Sequence, residues 1–106
     1  MKKLLVFANA KAGRDDEYNE WYDTVHIKDL LDIPGVVSGE RYRVSPSSSA
    51  RIAAPEHQYL TVYDVDGDVD AVLAELSARV GDGRIGVSDS VEPHSAKFMA
   101  WEPMSR

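Results

Sequence analysis

The chain contains no cysteine. That absence removes disulfides, thiolate metal ligands and cysteine nucleophiles together, and it fits a cytoplasmic setting. Positive charge is also scarce, with 12 Lys and Arg against 18 Asp and Glu and a net charge of −6. A phosphate backbone would be repelled, so no nucleic-acid partner is expected. No stretch approaches the ~18 consecutive apolar residues of a membrane-spanning helix, which leaves no expected membrane partner. The start, MKKLLVFANAKA, carries the lysines, the apolar run and the Ala-Asn-Ala of a secretory signal. Its apolar core, Leu4 to Ala8, is shorter than the ~7 residues such a signal needs, and it reads better as a strand. Gly81, Gly83 and Gly86 lack the spacing of a phosphate-binding loop. No cofactor is expected.

What remains is a chain of 106 residues, the size of one domain over residues 1–106. Leu4 to Ala8 is a continuous apolar run suited to a central strand. Asp15 and Asp16 supply the cap and negative first turn of a helix that runs until Pro34-Gly35 stops it. Val36 to Val44 alternates as an edge strand, with Arg41 and Arg43 on one face and Tyr42 and Val44 on the other. Residues 45–56, SPSSSARIAAPE, form a polar loop long enough to be mobile. His57 to Val65 makes a third strand. Val69 to Val80 makes a second helix with Val69, Val72, Leu73, Leu76 and Val80 on one face, and Ser95 to Glu102 makes a fourth strand.

The order β-α-β-β-α-β predicts an α+β, ferredoxin-like fold, a four-stranded antiparallel sheet with both helices on one face. Strands one, three and four have apolar residues on both sides, as with Leu4 and Val6 against Leu5 and Phe7. Two helices cover one face, so a second copy packed on the other, a homodimer, is the economical expectation.

The segment EYNEWYDTVHIKDLLDIPGV, residues 17–36, concentrates the candidate chemistry. At 100° per residue Tyr18, Tyr22, Val25 and Asp29 share a face, Trp21 flanks it on one side, and His26 and Leu30 flank it on the other. An imidazole at that border can exchange protons near neutral pH, which makes His26 the candidate acid or base. It can equally be a histidine that only anchors the helix. Tyr22 is the candidate polariser of a substrate oxygen and Trp21 a flat wall for an aromatic ligand; for each, core packing is the alternative. Tyr42 and Tyr63 add phenols from neighbouring strands, and Asn9 could orient a carbonyl or simply shape a turn. A metal site of His26, His57 and His94 is not expected, because strands three and four are read as running oppositely, which would place His57 and His94 on the order of 20 Å apart. DVDGDVDAVLAE, residues 64–75, imitates a calcium loop, but Val69 stands where such a loop needs glycine. Its acids suit the start of the second helix.

The run Glu20-Trp21-Tyr22-Asp23-Thr24-Val25-His26, followed by Leu30, Ile33, Pro34, Gly35 and Val36 and then Arg41-Tyr42, resembles the dimeric α+β barrel superfamily, in particular its EthD-like and REDY-like (HapK-type) branches. That resemblance implies a homodimer whose two sheets form a barrel and a small cleft in each subunit between sheet and helices. Relatives of this kind include cofactor-independent isomerases, polyketide cyclases, quinone-forming monooxygenases and haem-degrading enzymes, so the fold alone does not select a reaction. The leading expectation is an acid/base isomerisation, cyclisation or lyase step on an aromatic or polyketide-like carbonyl compound. A cofactor-independent monooxygenase of aromatic substrates, favoured by an apolar pocket with few acids, and a non-catalytic ligand-binding dimer are the alternatives.

Overall fold

The computed structural model describes residues 1–105. Strands β1 (Lys2–Ala8), β2 (Val36–Arg43), β3 (Tyr59–Val65) and β4 (Lys97–Trp101) form one sheet in the order β2-β3-β1-β4, every neighbouring pair antiparallel. With helices after β1 and β3, this is the expected ferredoxin-like α+β arrangement. Among the described residues no helix is long and apolar enough to cross a membrane.

The first helix is a single rod made of three parts, α1 (Asp15–Trp21), a π-helical turn (Tyr22–His26) and α2 (Ile27–Leu31). The π-turn holds one residue more than the α-helical period allows, which corrects the 100° projection. Val25, placed by that projection on the buried face, is exposed, whereas Tyr18, Tyr22 and Leu30 are buried. A spacing of four residues from Tyr18 to Tyr22, His26 and Leu30 would drift around a regular helix by about 40° per step; the wider turn absorbs that drift and keeps the four in line. Gly35 ends the rod with φ +97°, a backbone that side chains with a Cβ rarely adopt, and its carbonyl accepts from the N–H of Asp66 at 2.8 Å. The remaining helix, α3 (Val69–Gly81), is capped by Asp68, whose side chain accepts from the N–H of Asp70 at 2.9 Å. The acids of the calcium-like stretch therefore serve the turn and cap.

Strand pairing assigns the faces. Leu4 pairs with Tyr63, Val6 with Thr61 and Ala8 with Tyr59, and this face lies under the helices, with Leu4, Tyr63 and Val65 at 0 % exposure. In β2 the register shifts between Val36 and Ser38, a bulge that leaves Val37 extra. Beyond it, Gly39 and Arg41 stand opposite Tyr63 and Thr61 on the helix side, while Tyr42 stands opposite Leu60 on the open side. The opposition of Arg41 and Tyr42 follows the expected alternation, but the bulge means that Val36 and Tyr42 do not share a face. Gly39 lets the Tyr63 ring lie close against the strand, since a Cβ there would sit only 3.0 Å from the ring and force it to give way.

One expected relation is overturned. Both β3 and β4 run antiparallel to β1, so they run parallel to each other and begin at the same end of the sheet. His57 Nε2 lies 2.9 Å from the carbonyl of Ser95, beside His94 in sequence instead of a sheet-length away. Among the described residues no three His, Cys, Asp or Glu gather as a metal site.

Candidate functional site

A cleft of about 400 Å³ opens between the first helix and α3, over β1 and β4. Its aromatic side is Tyr18, Trp21, Tyr22 and His26 from the rod; its apolar side is Leu76 and Val80 from α3, with Val87, Val91 and Phe98 closing it. No carboxylate and no lysine lines it. A second hollow, of about 440 Å³, lies on the open face of the sheet against Phe7, Tyr42, His57, Leu60, Lys97 and Met99. Its histidine is already engaged with the Ser95 carbonyl, whereas the His26 imidazole of the helix-side cleft is not tied up in this way, so the helix-side cleft is the better candidate.

The π-turn builds the aromatic wall. Trp21 and His26 are five residues apart, a separation that points in divergent directions on an α-helix, yet their rings stack with centroids 4.5 Å apart and planes at 24°. Tyr22 meets the same imidazole edge-on at 4.9 Å. From the side of β2, the Arg41 guanidinium carbon lies 4.4 Å from the centre of the Tyr22 ring, a favourable cation–π arrangement. Arg41 Nη1 donates to Asp23 at 2.9 Å and Nη2 donates to Asn19 at 2.8 Å, tying the edge strand to the rod.

Burial first, and the Arg41 charge second, lower the His26 pKa to about 4, so its imidazole is neutral across the physiological range. Its Nδ1 is buried and has no hydrogen-bond partner, which leaves Nε2 as the nitrogen open to the cleft. Burial raises the pKa values of Tyr18, Tyr22 and Tyr63, and all three remain neutral phenols.

The sequence candidates separate into two groups. Trp21, Tyr22 and His26 come together in the cleft. The Tyr22 hydroxyl, however, lies 2.7 Å from the Tyr63 hydroxyl beneath the helix, so Tyr22 offers the cleft its ring while its polar end is engaged in the core. Tyr63 is fully buried and supports Tyr22 from below instead of touching a ligand. Tyr42 faces the opposite side of the sheet, carried there by the β2 bulge. Asn9 donates from Nδ2 to the Glu56 carbonyl at 3.2 Å and accepts at Oδ1 from the Gln58 N–H at 2.7 Å; its amide fastens the end of β1 to the loop before β3. Tyr18, Phe98 and Arg41 were not among the sequence candidates. Tyr18 had a signal, its spacing of four from Tyr22, whereas Arg41 and Phe98 reach the site only through strand pairing.

No family profile matches the sequence, and no curated protein matches it. Solved structures do. An EthD family protein from Bacillus halodurans superposes with a TM-score of 0.60 at 16 % identity, covering 98 % of this chain and 99 % of that one. HapK from Hahella chejuensis gives 0.58 at 17 % identity, covering 100 % and 95 %. The chain has the EthD-like fold. A candidate monooxygenase from Shewanella loihica shares it, with a TM-score of 0.64 at 12 % identity over 99 % and 95 % of the two chains. At these identities the EthD-like likeness establishes architecture, and the chemistry has to be argued from the cleft.

Proposed function

We propose that this chain is a small-molecule enzyme that oxygenates an electron-rich aromatic or polyketide-like compound, using electrons from the substrate itself. The observation that carries the reading is the lining of the cleft: aromatic and aliphatic walls, no carboxylate, and one imidazole whose pKa is lowered to about 4. Isomerisation, cyclisation or elimination needs a group that takes up a proton near neutral pH. His26 is a weak base there and the cleft offers no other, so the acid/base expectation ranks lower. Oxygenation of a ring that already carries an ionisable hydroxyl asks less of the protein. The substrate anion supplies the electrons, a ring methylene and O₂ become a carbonyl and water, and the walls keep the reactive ring dry and oriented. The neutral His26 contributes a hydrogen bond at the substrate oxygen.

Haem, which the family resemblance also raises, does not suit this imidazole. A histidine that binds metal through Nε2 ordinarily donates its Nδ1–H to a nearby acceptor, and here Nδ1 is buried with none.

The same reading takes the active species to be a homodimer. The open sheet face presents Met99 and Trp101 at 45 % and 57 % exposure beside the less exposed Leu5, Phe7, Leu60 and Val62, and sheet-on-sheet packing with a second copy would cover them.

The test is an oxygen electrode with a hydroxylated anthrone. Uptake of one O₂ per quinone formed, lost when Trp21 is replaced by Ala, is the expected result. Binding without uptake would favour the non-catalytic dimer instead, and product isomers formed without oxygen would restore the acid/base reading.

A further inference from the structure

The two nitrogens of His26 stand in unlike surroundings, and that asymmetry fixes more than its charge. We propose that His26 is held as the Nε2–H tautomer, a fixed hydrogen-bond donor into the cleft, so that the site selects ligands presenting an oxygen acceptor, a ketone, quinone, enolate or phenolate oxygen, on a flat apolar body.

A neutral imidazole has one N–H to place. On Nδ1 the proton would be a buried donor with no acceptor, because Nδ1 makes no hydrogen bond and is closed to solvent. On Nε2 the proton reaches the cleft and leaves Nδ1 as a bare acceptor. Orphaned buried donors are rarer than under-satisfied acceptors, and leaving one unpaired is the costlier error. The ring is also held in place: Trp21 stacks on it at 4.5 Å and Tyr22 stands edge-on at 4.9 Å, both brought there by the π-turn. The low pKa adds that the second proton stays off at working pH. No other histidine lines the cleft, and the one ionisable wall hydroxyl directly beside His26, that of Tyr22, is paired with Tyr63. His26 Nε2–H therefore faces the ligand as a donor with no carboxylate to compete for it. The selectivity part of the inference rests on the reading of this cleft as the functional site; the tautomer does not.

The experiment has two arms. Long-range ¹H–¹⁵N correlation on ¹⁵N-labelled protein at pH 7, with the His26 signals assigned by their loss in His26→Gln, should show a protonated Nε2 and a bare Nδ1, with this tautomer in about tenfold excess or more. Calorimetry should then compare 1-tetralone, which carries one ketone acceptor, with tetralin, its hydrocarbon counterpart. His26→Phe should weaken 1-tetralone binding about tenfold and leave tetralin unchanged, while His26→Gln, whose amide still donates, should keep most of the 1-tetralone affinity. An Nδ1–H tautomer or an imidazolium at pH 7 overturns the inference whatever binds, and so does an equal loss of both ligands in His26→Phe. A correct tautomer with neither ligand bound to the wild-type protein instead overturns the reading of the cleft as an aromatic site and leaves the tautomer established.

Discussion

Leu4 and Leu5 are adjacent in β1 and chemically identical, yet Leu4 is fully buried under the helices while Leu5 points to the open face and is only partly covered. The same contrast runs across the sheet: Tyr63 and Val65 are sealed on one side, and Met99 and Trp101 stand exposed on the other. The side chains of the two faces differ little in apolar character. What differs is the covering element, which on one face is built into the chain and on the other is absent among the described residues. The covered face also carries the cleft, because the first helix and α3 part over β1 and β4 and leave the aromatic row of the rod lining a gap.

The largest expected effect breaks this comparison directly. Leu4→Ala should cost about 2–5 kcal/mol in urea denaturation, the range for a large core side chain that leaves a cavity. Leu5→Ala, measured with it, should cost little in an isolated subunit. If two copies pack through the open face, its cost should instead appear as a lower dimer affinity, read from the concentration dependence of light scattering. A concentration-independent monomer for the wild-type chain at micromolar levels would leave the open face bare and overturn the homodimer.

An effect of middle size tests the buried histidine of the covered face. The folded-state pKa of His26 is about 4 against an ordinary 6.5, so the unfolded chain binds an extra proton between those values. Stability from this group is therefore full above pH 6.5 and falls as the pH drops toward 4, by roughly 2–3 kcal/mol. As the pH falls from 6.5 toward 4, the denaturation midpoint of the wild type should drop more steeply than that of His26→Phe, which has no group to titrate there. Equal slopes would show that His26 is not held neutral by burial.

A smaller effect contrasts two tyrosines of neighbouring strands. Tyr63→Phe leaves the Tyr22 hydroxyl without its 2.7 Å partner and should cost about 1–3 kcal/mol, with much of the loss recovered in the Tyr22→Phe, Tyr63→Phe double variant. Tyr42→Phe, on the open face at 47 % exposure, should stay within about 0.5 kcal/mol. A cost at Tyr42 equal to that at Tyr63 would show that the open face is buried against something that needs its hydroxyl.

The element order was legible because each element rests on local signals: apolar strand runs, the acids that start both helices, and the Pro34-Gly35 stop. Trp21, Tyr22 and His26 were recognisable as a group because they lie within six residues on one rod. Val25 was misplaced because helical projection takes no account of an extra residue in the π-turn, and which face Tyr42 takes relative to Val36 is set by the extra residue at Val37, which alternation along the strand does not reveal. The direction of β4 relative to β3 was misread for a related reason, since nothing local in either strand states which neighbour it will pair with.

The sequence by itself determined the order of strands and helices, the apolar character of both sheet faces and the aromatic content of the first helix, since these depend on residue type and short-range spacing. Only the tertiary structure decided which side chains share the site. Two insertions of a single residue, the π-turn at Tyr22–His26 and the bulge beside Val37, turn every later side chain of their element. They align His26 with Tyr22 and Trp21, set Gly39 under the Tyr63 ring and Arg41 against Tyr22, and send Tyr42 to the other face. What holds each in place is packing between the rod and the edge strand, where a ring needs a glycine beneath it and a guanidinium needs a ring above it, and such contacts join residues that lie far apart in sequence.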